Sequence, residues 1–286
     1  MTPEVLVVIV NYNAGPALQA CLASAIADLD GVDWRAVVVD NASTDGSLDT
    51  LASSPSVTLV RNVTNVGFGA AVNQAARLHA APLLWLLNPD CLVRSGTVST
   101  LSRTLDEHPE CAIAAPRLLN ADGSTQQSAR GWPTLSTGLF GRHSLLARWF
   151  PDSKQARTNL RARELVAADH ASAEVDWVMG AAMLIRREWF DEVRGFDEQF
   201  FLYWEDADLC RRLYERGAST RFVPGAIVEH VGGRSSRTAH RASTRAFHRS
   251  AYLYYAKHVV RSRWHPARWF AWTALTARAW WRIATQ

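Results

Sequence analysis

Paired cysteines are the first thing that this sequence lacks. Its four cysteines are Cys21, Cys91, Cys111 and Cys210, and no two of them form a C-x-x-C pair. This spacing argues against a zinc site. The cysteines are scattered in apolar surroundings, which indicates buried thiols in a reducing cytosol rather than disulfides. We therefore expect a cytoplasmic protein without structural zinc.

Membrane-spanning and secretory segments are missing as well. No uninterrupted run reaches the length of about 18 apolar residues that a membrane-spanning helix requires. Near the start of the chain, the acidic Glu4 and a strand-like run replace the basic-then-apolar pattern of a signal peptide. The sequence thus predicts neither a membrane-spanning helix nor a secreted protein.

A phosphate-binding glycine loop is also absent. The stretch from Asn65 to Gly69 lacks the spacing of a P-loop or of a dinucleotide fingerprint, and the turn from Asn11 to Pro16 contains no Lys or Arg. A nucleotidyltransferase usually needs a basic, glycine-rich first loop. This class of enzyme is therefore disfavoured.

The composition is that of an ordinary globular protein. The 286 residues are 48% hydrophobic and 20% charged, enough for one large domain or two small ones. The formal net charge is +4, and arginines dominate from Arg211 to Arg282. A basic surface of this kind also permits a non-catalytic module that binds membrane or nucleic acid.

Strand and helix patterns alternate through the first half of the chain. Continuous β-branched and leucine runs at 5–10, 34–39, 57–60 and 83–87 predict buried parallel strands. The alternation predicts an α/β fold with a doubly wound, mostly parallel, Rossmann-like sheet and helices on both faces.

Helical spacing separates these strands at 17–27 and 69–79, and the segment 43–47 is typical of a helix N-terminus. Ligands of such sheets bind beyond the carboxyl ends of the strands. Four polar residues fall near those ends, namely Asn11, Asp40, Asn65 and Asp90.

The second half is less regular. We predict a hairpin at 117–126, a helix at 205–216 that stops at Gly217, and a strand at 221–228. Residues 131–173 show no clear period, and we interpret them as a substrate-facing insertion.

Six blocks, in this order, resemble the inverting family-2 glycosyltransferases of the GT-A fold. The blocks are 7–13 (VVIVNYN), 38–47 (VVDNASTDGS), 65–73 (NVGFGAAVN), 88–90 (NPD), 177–184 (WVMGAAML) and 195–208 (GFDEQFFLYWEDAD). The last two look like the rhamnosyltransferase branch of that family. The resemblance covers roughly residues 4–260. It implies a nucleotide-sugar-binding half at 1–115, an acceptor-binding and catalytic half of the same domain at 116–260, and a helical tail at 261–286.

The resemblance implies a nucleotide pocket made of Asn11, Tyr12, Asp40, Asn41, Asn65 and Gly67. Asp40 would accept a hydrogen bond from the pyrimidine or the ribose, and Tyr12 would stack on the base. Asn65 and Gly67 form a turn that would let the backbone approach the nucleotide. The alternative for Asp40 is that it only caps the following helix.

Asn88-Pro89-Asp90 stands where the family carries its metal-binding Asp-X-Asp. By resemblance, Asp90 and His230 would hold Mg²⁺ or Mn²⁺ against the donor's diphosphate, and Arg234 and Arg237 would close on phosphate. The first Asp of the motif is Asn88 here, a weaker contact to the sugar or ribose, which puts the metal dependence in question. The alternatives are a simple turn, a structural histidine and a solvated basic loop.

The pair Glu205-Asp206 looks like the catalytic acids of the family, with Asp206 as the base and Glu205 in support. Trp177, Gly180, Ala181 and Trp204 would line the sugar and acceptor site. The alternatives are acids that serve only the helix dipole, as suits Asp208, and a buried helix around Gly180.

The tail from 261 to 286 interleaves tryptophan with arginine, which suits the headgroup level of a membrane. We interpret it as a peripheral helix on the inner face of the plasma membrane that finds a lipid-linked acceptor. The alternative is a helix that packs on the catalytic domain or on a second copy in a homodimer.

Together these features predict transfer of a hexose, foremost L-rhamnose from dTDP-rhamnose, to a hydroxyl of a lipid-linked, cell-wall or O-antigen saccharide. UDP-galactose, UDP-galactofuranose and UDP-N-acetylglucosamine remain alternative donors. We expect no nucleic-acid partner. A non-catalytic basic module is the more distant alternative, and two intact acidic motifs argue against it.

Overall fold

The computed structural model describes residues 4–49, 51, 54–133, 162, 165–166, 171–230 and 240–285. The strands are β1 (Val5–Asn11), β2 (Trp34–Asp40), β3 (Val57–Arg61), β4 (Leu83–Leu87), β5 (Cys91–Val93), β6 (Cys111–Leu119), β7 (Ala129–Arg130), β8 (Ala173–Glu174), β9 (Trp177–Val178), β10 (Ala182–Arg186) and β11 (Ser219–His230). The helices are α1 (Ala17–Asp28), α2 (Phe68–Ala76), α3 (Thr97–Glu107), α4 (Arg187–Glu192), α5 (Glu205–Tyr214), α6 (His240–Tyr254) and α7 (Pro266–Ala284). A π-helical turn, Tyr255–Val259, follows α6.

One large sheet organises the described part of the chain, in the order β3-β2-β1-β4-β10-β6-β11-β5, with β8 paired to β11. Strands β3, β2, β1, β4, β6 and β11 run in one direction, while β10, β5 and β8 run against them. The predicted α/β class with a mostly parallel sheet is therefore confirmed.

Side-chain alternation along β1 explains why helices cover both faces of the sheet. Every residue of β1 is buried. Val5, Val7 and Ile9 pack with α1 and α3 on one face. Leu6 and Val8 pack with α2 and α5 on the other. Because successive side chains of a strand point to opposite faces, one continuous apolar run serves both layers.

The helix predicted to begin near residues 43–47 does not form. Polar side chains fix an irregular loop there instead. Asn13 Oδ1 accepts the Thr44 N–H at 2.8 Å, and the Asp45 carboxylate accepts the N–H groups of Gly15 at 2.7 Å and Ser47 at 3.0 Å. Short polar side chains that bind nearby backbone compete with helix formation, and here they win.

The segment around Gly180 is not a buried helix, so that alternative is wrong. Trp177 and Val178 form β9, which pairs with β7, and β10 begins two residues after Gly180 and inserts between β4 and β6. The hairpin predicted at 117–126 reduces to one bridge between Leu119 and Thr125, around a turn in which Gly123 has φ +79°.

Most of the predicted insertion at 131–173 lies outside the described residues, so its substrate-facing role remains a prediction. The segment 261–286, predicted as a helical tail, contains α7, which packs against α6. Among the described helices, none combines the length and the apolar character needed to cross a membrane.

Candidate active site

The carboxyl ends of β1 and β2 bring Asn11 and Asp40 together as neighbours in the parallel register. Both are buried, and Asn11 Nδ2 donates to Asp40 Oδ1 and to Ser47 Oγ, each at 2.8 Å. Asp40 Oδ2 accepts the Ser43 N–H at 3.1 Å and so caps a turn, not a helix. Each carboxylate oxygen keeps a second lone pair. Asp40 can therefore still accept a hydrogen bond from a ligand, while Asn11 orients it.

Gly67 links this edge of the sheet to the loop that precedes α5. Asn65 Oδ1 accepts the Gly67 N–H at 2.9 Å, and Asn41 Nδ2 donates to the Gly67 carbonyl at 3.2 Å. A Cβ added at Gly67 would lie 2.4 Å from the carbonyl oxygen of Phe201, which also accepts the Phe68 N–H at 3.1 Å. The close backbone approach predicted at this glycine is thus made by Phe201. Nothing in the geometry assigns a nucleotide contact to Asn65 or Gly67.

A second cluster forms where β4 and β11 end. His230 Nε2 lies 3.4 Å from Asp90 Oδ1 and 3.4 Å from Asn88 Nδ2. Cys91 joins them, since the possible ligand atoms of Asp90, Cys91 and His230 all lie within 4.8 Å of one another. Asp90 and His230 are 140 positions apart in sequence, and antiparallel pairing of β5 with β11 brings them together.

The donor atoms of this cluster fit a hard divalent cation. Two ligands that each lie about 2.1 Å from one ion are separated by roughly 3.0–3.4 Å, close to the distance between Asp90 and His230. Burial raises the pKa of the Cys91 thiol well above its ordinary range, and Cys91 Sγ donates to the Ala181 carbonyl at 3.2 Å. In the metal-free site the thiol is therefore neutral, and the carboxylate and the imidazole are the candidate ligands that suit a hard cation such as Mg²⁺ or Mn²⁺.

Asp206 is held at the start of α5 by two backbone donors. Its Oδ2 accepts the Gly180 N–H at 3.0 Å, and its Oδ1 accepts the Ala207 N–H at 2.8 Å. The neighbouring Ala181 carbonyl accepts the Asn88 N–H at 2.8 Å. The segment Gly180–Ala181 thus connects the acidic pair with the Asp90 and His230 cluster.

The two acids of the pair have different surroundings. Glu205 is 7% exposed, and its Oε2 has no hydrogen-bond partner among the described residues. Burial, and then the charge of Asp206, raise the pKa of Glu205 well above its ordinary range. Burial also raises the pKa of Asp206, but the N–H groups of Gly180 and Ala207 and the charge of Arg130 oppose the change. These surroundings therefore favour the protonated form of Glu205 more than that of Asp206.

Aromatic packing supports the loop before α5. Tyr203 and Trp204 both have positive φ, 66° and 70°, which is uncommon for bulky residues. The Trp204 ring packs against Phe247 and Tyr254 of α6, with centroids 5.8 and 5.4 Å apart. Ser250 Oγ of α6 donates to the Leu202 carbonyl at 2.9 Å. Trp204 therefore has a clear role in packing, and α6 stabilises a strained backbone conformation.

Trp177 lies next to Arg130, a residue that no sequence pattern marks as functional. Its Nε1 donates to the Gly131 carbonyl at 2.9 Å, and the guanidinium of Arg130 lies over its ring at 5.1 Å. Arg130 stands in a short strand, β7, whose two residues carry too little pattern to predict. Its charge is the one signal that could have marked Arg130 as a candidate, because residues 127–130 lie between the predicted hairpin and the predicted insertion.

Asp208, which we expected to serve the helix dipole, also joins a buried ion network. It is fully buried, and Lys257 Nζ and His258 Nε2 each lie 2.7 Å from its Oδ1, while Arg212 Nε donates to its Oδ2 at 2.7 Å. Burial alone would raise the pKa of Asp208, but His258, Arg212 and Lys257 hold it below its ordinary range. The network fastens the π-helical turn to α5, a contact that no local pattern in the sequence indicates.

Of the four other predicted site residues, the structure describes two. Tyr12 is half-buried at the end of β1, and Ala181 is buried between the two clusters. Arg234 and Arg237 lie outside the described residues, so the structure says nothing of their contact with phosphate.

Comparison with known proteins relates this chain to one family over most of its length. Residues 3–249 match the family model described as "Glycosyltransferase like family 2". The N-acetylglucosaminyl-diphospho-decaprenol L-rhamnosyltransferase of Mycobacterium tuberculosis is 33% identical over 286 aligned positions, which cover 94% of this chain and 89% of that protein. The dTDP-rhamnosyl transferase RfbF of Shigella flexneri is 23% identical over 239 positions, covering 82% of this chain and 72% of that protein.

Among solved structures, the mannosyltransferase of Pyrobaculum calidifontis in complex with GDP-Man and Mn²⁺ matches with a TM-score of 0.59 and 18% identity. The match covers 100% of this chain and 73% of that chain. At this identity the likeness shows the shared fold alone.

Proposed function

The chain belongs to the family-2 glycosyltransferases and has their GT-A fold, so it is a hexosyltransferase, and we propose a donor and an acceptor for it. The proposed reaction transfers L-rhamnose from dTDP-rhamnose to a polyprenyl-diphosphate-linked saccharide. The single observation that supports this donor and acceptor best is the match, over nearly the whole chain, to a rhamnosyltransferase named for a lipid-linked N-acetylglucosamine. UDP-hexoses are the donors that the experiment must exclude.

In the proposed donor complex, Asp40 accepts a hydrogen bond from the pyrimidine ring or the ribose. Asn11, which donates to Asp40 at 2.8 Å, keeps the carboxylate in position. Tyr12 stacks on the base, and Asn41, Asn65 and Gly67 shape the pocket wall. Burial at the carboxyl ends of the parallel strands, where α/β sheets bind ligands, supports the assignment of Asn11, Asp40 and Asn41. The roles of Tyr12, Asn65 and Gly67 are proposed from the family resemblance.

Asp90 and His230 would hold Mg²⁺ or Mn²⁺. A bound divalent cation supplies positive charge that stabilises the departing diphosphate. Asn88 contacts the sugar from the same turn, and Arg234 and Arg237 add positive charge at the diphosphate.

Asp206 acts as the base in the proposed reaction. It takes the proton from the acceptor hydroxyl while that oxygen attacks the anomeric carbon from the side opposite the diphosphate, which inverts the configuration. Burial beside a second acid raises the pKa of Glu205 and so favours its protonated form, which can donate a hydrogen bond to the acceptor. Gly180 and Ala181 leave room for the sugar, with Trp177 and Trp204 as the walls of the acceptor site.

We further propose that α7 rests on the inner face of the membrane that contains the acceptor lipid. Five large aromatic side chains of this helix are at least half-exposed, namely Trp269, Phe270, Trp272, Trp280 and Trp281. The chain has no Asp or Glu after Glu229, so no carboxylate of this segment repels an anionic lipid surface.

The role of Asp206 is tested by Asp206→Asn, measured as the steady-state rate of dTDP release with the lipid-linked acceptor. A general base contributes about 10²–10⁴-fold, so we expect a loss of that size with donor binding unchanged. Asp191→Asn, on the exposed surface of α4, is the matched control and should keep the wild-type rate. Wild-type turnover by a folded Asp206→Asn variant would contradict the assignment.

A further inference from the structure

Two reciprocal hydrogen bonds join Gln126 to His230. Gln126 Nε2 donates to the backbone carbonyl of His230 at 2.7 Å, and Gln126 Oε1 lies 3.0 Å from His230 Nδ1. The backbone N–H of Gln126 donates to the Leu118 carbonyl of β6 at 2.8 Å, which fixes its main chain. His230 is only 8% exposed, so water competes little for these bonds. Gln126 lies at the end of the segment that the sequence predicts to be a hairpin, and no sequence pattern marks it as functional.

These contacts determine which nitrogen of the His230 ring carries the proton. A carbonyl oxygen can only accept, so the Gln126 amide must turn its nitrogen toward the His230 backbone. The amide oxygen then faces Nδ1, and because it too can only accept, Nδ1 must donate. In the neutral ring, Nε2 is left with a lone pair.

The Nε2 atom that carries this lone pair lies close to a carboxylate oxygen of Asp90. Asp90 Oδ1 lies 3.4 Å from Nε2, which is longer than the 2.7–2.9 Å typical of a charge-assisted hydrogen bond. In the Nδ1–H ring both atoms are acceptors, which repel each other at this separation. The Asn88 amide, whose nitrogen lies 3.4 Å from Nε2, and a bound cation can each offset this repulsion. We infer that Gln126 is a positioning residue that keeps His230 in its Nδ1–H form, so that Nε2 and Asp90 Oδ1 are presented together to a divalent cation.

This inference rests on the proposed metal role of His230 but not on the identity of the sugar. Histidine ligands of metals are commonly oriented by a partner at the other ring nitrogen, whose loss typically weakens metal binding 10–100-fold. Without Gln126, the ring is free to place its proton on Nε2 and donate to Asp90. That hydrogen bond would occupy both groups and close the cation site.

The tautomer is measured directly by long-range ¹H–¹⁵N NMR on metal-free protein labelled at histidine nitrogens, with His230→Ala used to assign the ring. We expect Nδ1–H in the wild type and a shift toward Nε2–H in Gln126→Met, which has a similar length but neither donor nor acceptor at that position. An Nε2–H ring in the wild type, or the same tautomer in wild type and Gln126→Met, would overturn the inference.

Mn²⁺ affinity, measured by electron paramagnetic resonance of the free ion, provides the second readout. We expect Gln126→Met to bind Mn²⁺ 10–100-fold more weakly than the wild type, with its thermal unfolding checked separately. Gln199→Met, the same exchange at an exposed position, should bind as the wild type does. Equal affinity of Gln126→Met and wild type would contradict the inference. If the wild type and His230→Ala bind Mn²⁺ equally, the proposed metal role of His230 is wrong, and the NMR result still decides the role of Gln126.

Discussion

At the scale of single residues, the acidic pair shows how burial and hydrogen bonds give two adjacent carboxylates different tendencies to hold a proton. Glu205 has an unpartnered, buried oxygen, whereas both oxygens of Asp206 accept backbone N–H groups. Donors that face a carboxylate favour its ionised form, and burial without donors favours the protonated form. The sequence motif predicts the pair, but the contacts that distinguish its members come from Gly180, 26 positions away.

Arg130 provides a test of this electrostatic account. A positive charge near Asp206 favours its ionised form and so lowers its pKa, which means that removing the charge raises that pKa. Since the base must be ionised to take a proton, Arg130→Met should move the acidic limb of the kcat/KM profile to higher pH and leave the plateau at higher pH in place.

Arg130→Lys retains the charge and should keep the wild-type limb. Arg103→Met, at an exposed position on α3, is the control for loss of any one cation. An acidic limb that stays unchanged in Arg130→Met would show that Arg130 does not act on the base.

At the scale of elements, α5 depends on contacts from both ends of the chain. Phe201, in the loop before it, meets Gly67 of the α2 N-terminus, and Lys257 and His258 of the π-helical turn bind Asp208. Buried ion networks of this kind are costly to break because they leave an uncompensated charge. Sequence patterns predict α5 itself well, from its acidic start and the stop at Gly217, but they are local and do not indicate what α5 packs against.

Gly67→Ala tests the contact between Gly67 and Phe201, which lies in the loop before α5. Gly67 has φ 91° and ψ 167°, a region nearly reserved for glycine, and a Cβ would lie 2.4 Å from the Phe201 carbonyl. We expect a loss of about 3 kcal/mol in unfolding free energy, which is on the order of 10 °C in Tm for a domain of this size.

The matched control is Gly123→Ala, where φ is also positive, +79°, but no atom lies within 4 Å of the added Cβ. It should cost about 1 kcal/mol, the strain of a left-handed alanine alone. Calorimetry of both variants separates the two contributions. Equal losses at the two glycines would mean that the Phe201 contact adds nothing.

At the scale of the whole molecule, apolar patterning predicts the fold because β1, β2 and β4 are largely buried on both faces. The prediction of a buried strand at 57–60 is wrong in its burial, since β3 lies at the edge of the sheet and is partly exposed. A continuous apolar run such as residues 5–10 is stable only when both faces of the strand are covered. The alternation of such strands with helices allows few sheet topologies. The loop at 43–47 is the exception, since its helix signal consists of the polar side chains that hold it in an irregular form. The sequence also did not predict β10 as a separate strand. Its antiparallel pairing with β4 and β6 depends on the tertiary fold, which local patterns do not indicate.

The exposed aromatic face of α7 predicts binding to membranes. Trp269 and Trp280 are 65% and 70% exposed, and interfacial tryptophan favours the headgroup level. In vesicle sedimentation, the wild type should bind anionic vesicles more strongly than zwitterionic ones, with binding that weakens as salt rises. The double variant Trp269→Ser, Trp280→Ser should lose most of this binding.

The control is Val63→Ser, whose side chain is 95% exposed and lies in the N-terminal half of the chain. This variant should bind vesicles as the wild type does. If the double variant keeps full vesicle binding, α7 does not supply the membrane contact. A concentration-dependent dimer that the double variant abolishes would instead assign the aromatic face to a second copy of the chain.

The measurement that tests the central claim most directly is release of nucleoside diphosphate by the purified protein with Mg²⁺ or Mn²⁺ and a polyprenyl-diphosphate-linked N-acetylglucosamine. The donors to compare are dTDP-rhamnose, UDP-galactose, UDP-galactofuranose and UDP-N-acetylglucosamine. The account predicts acceptor-dependent release from dTDP-rhamnose, and little from the others. Acceptor-dependent release from a UDP-sugar, with dTDP-rhamnose inert, would contradict the proposed rhamnosyl transfer.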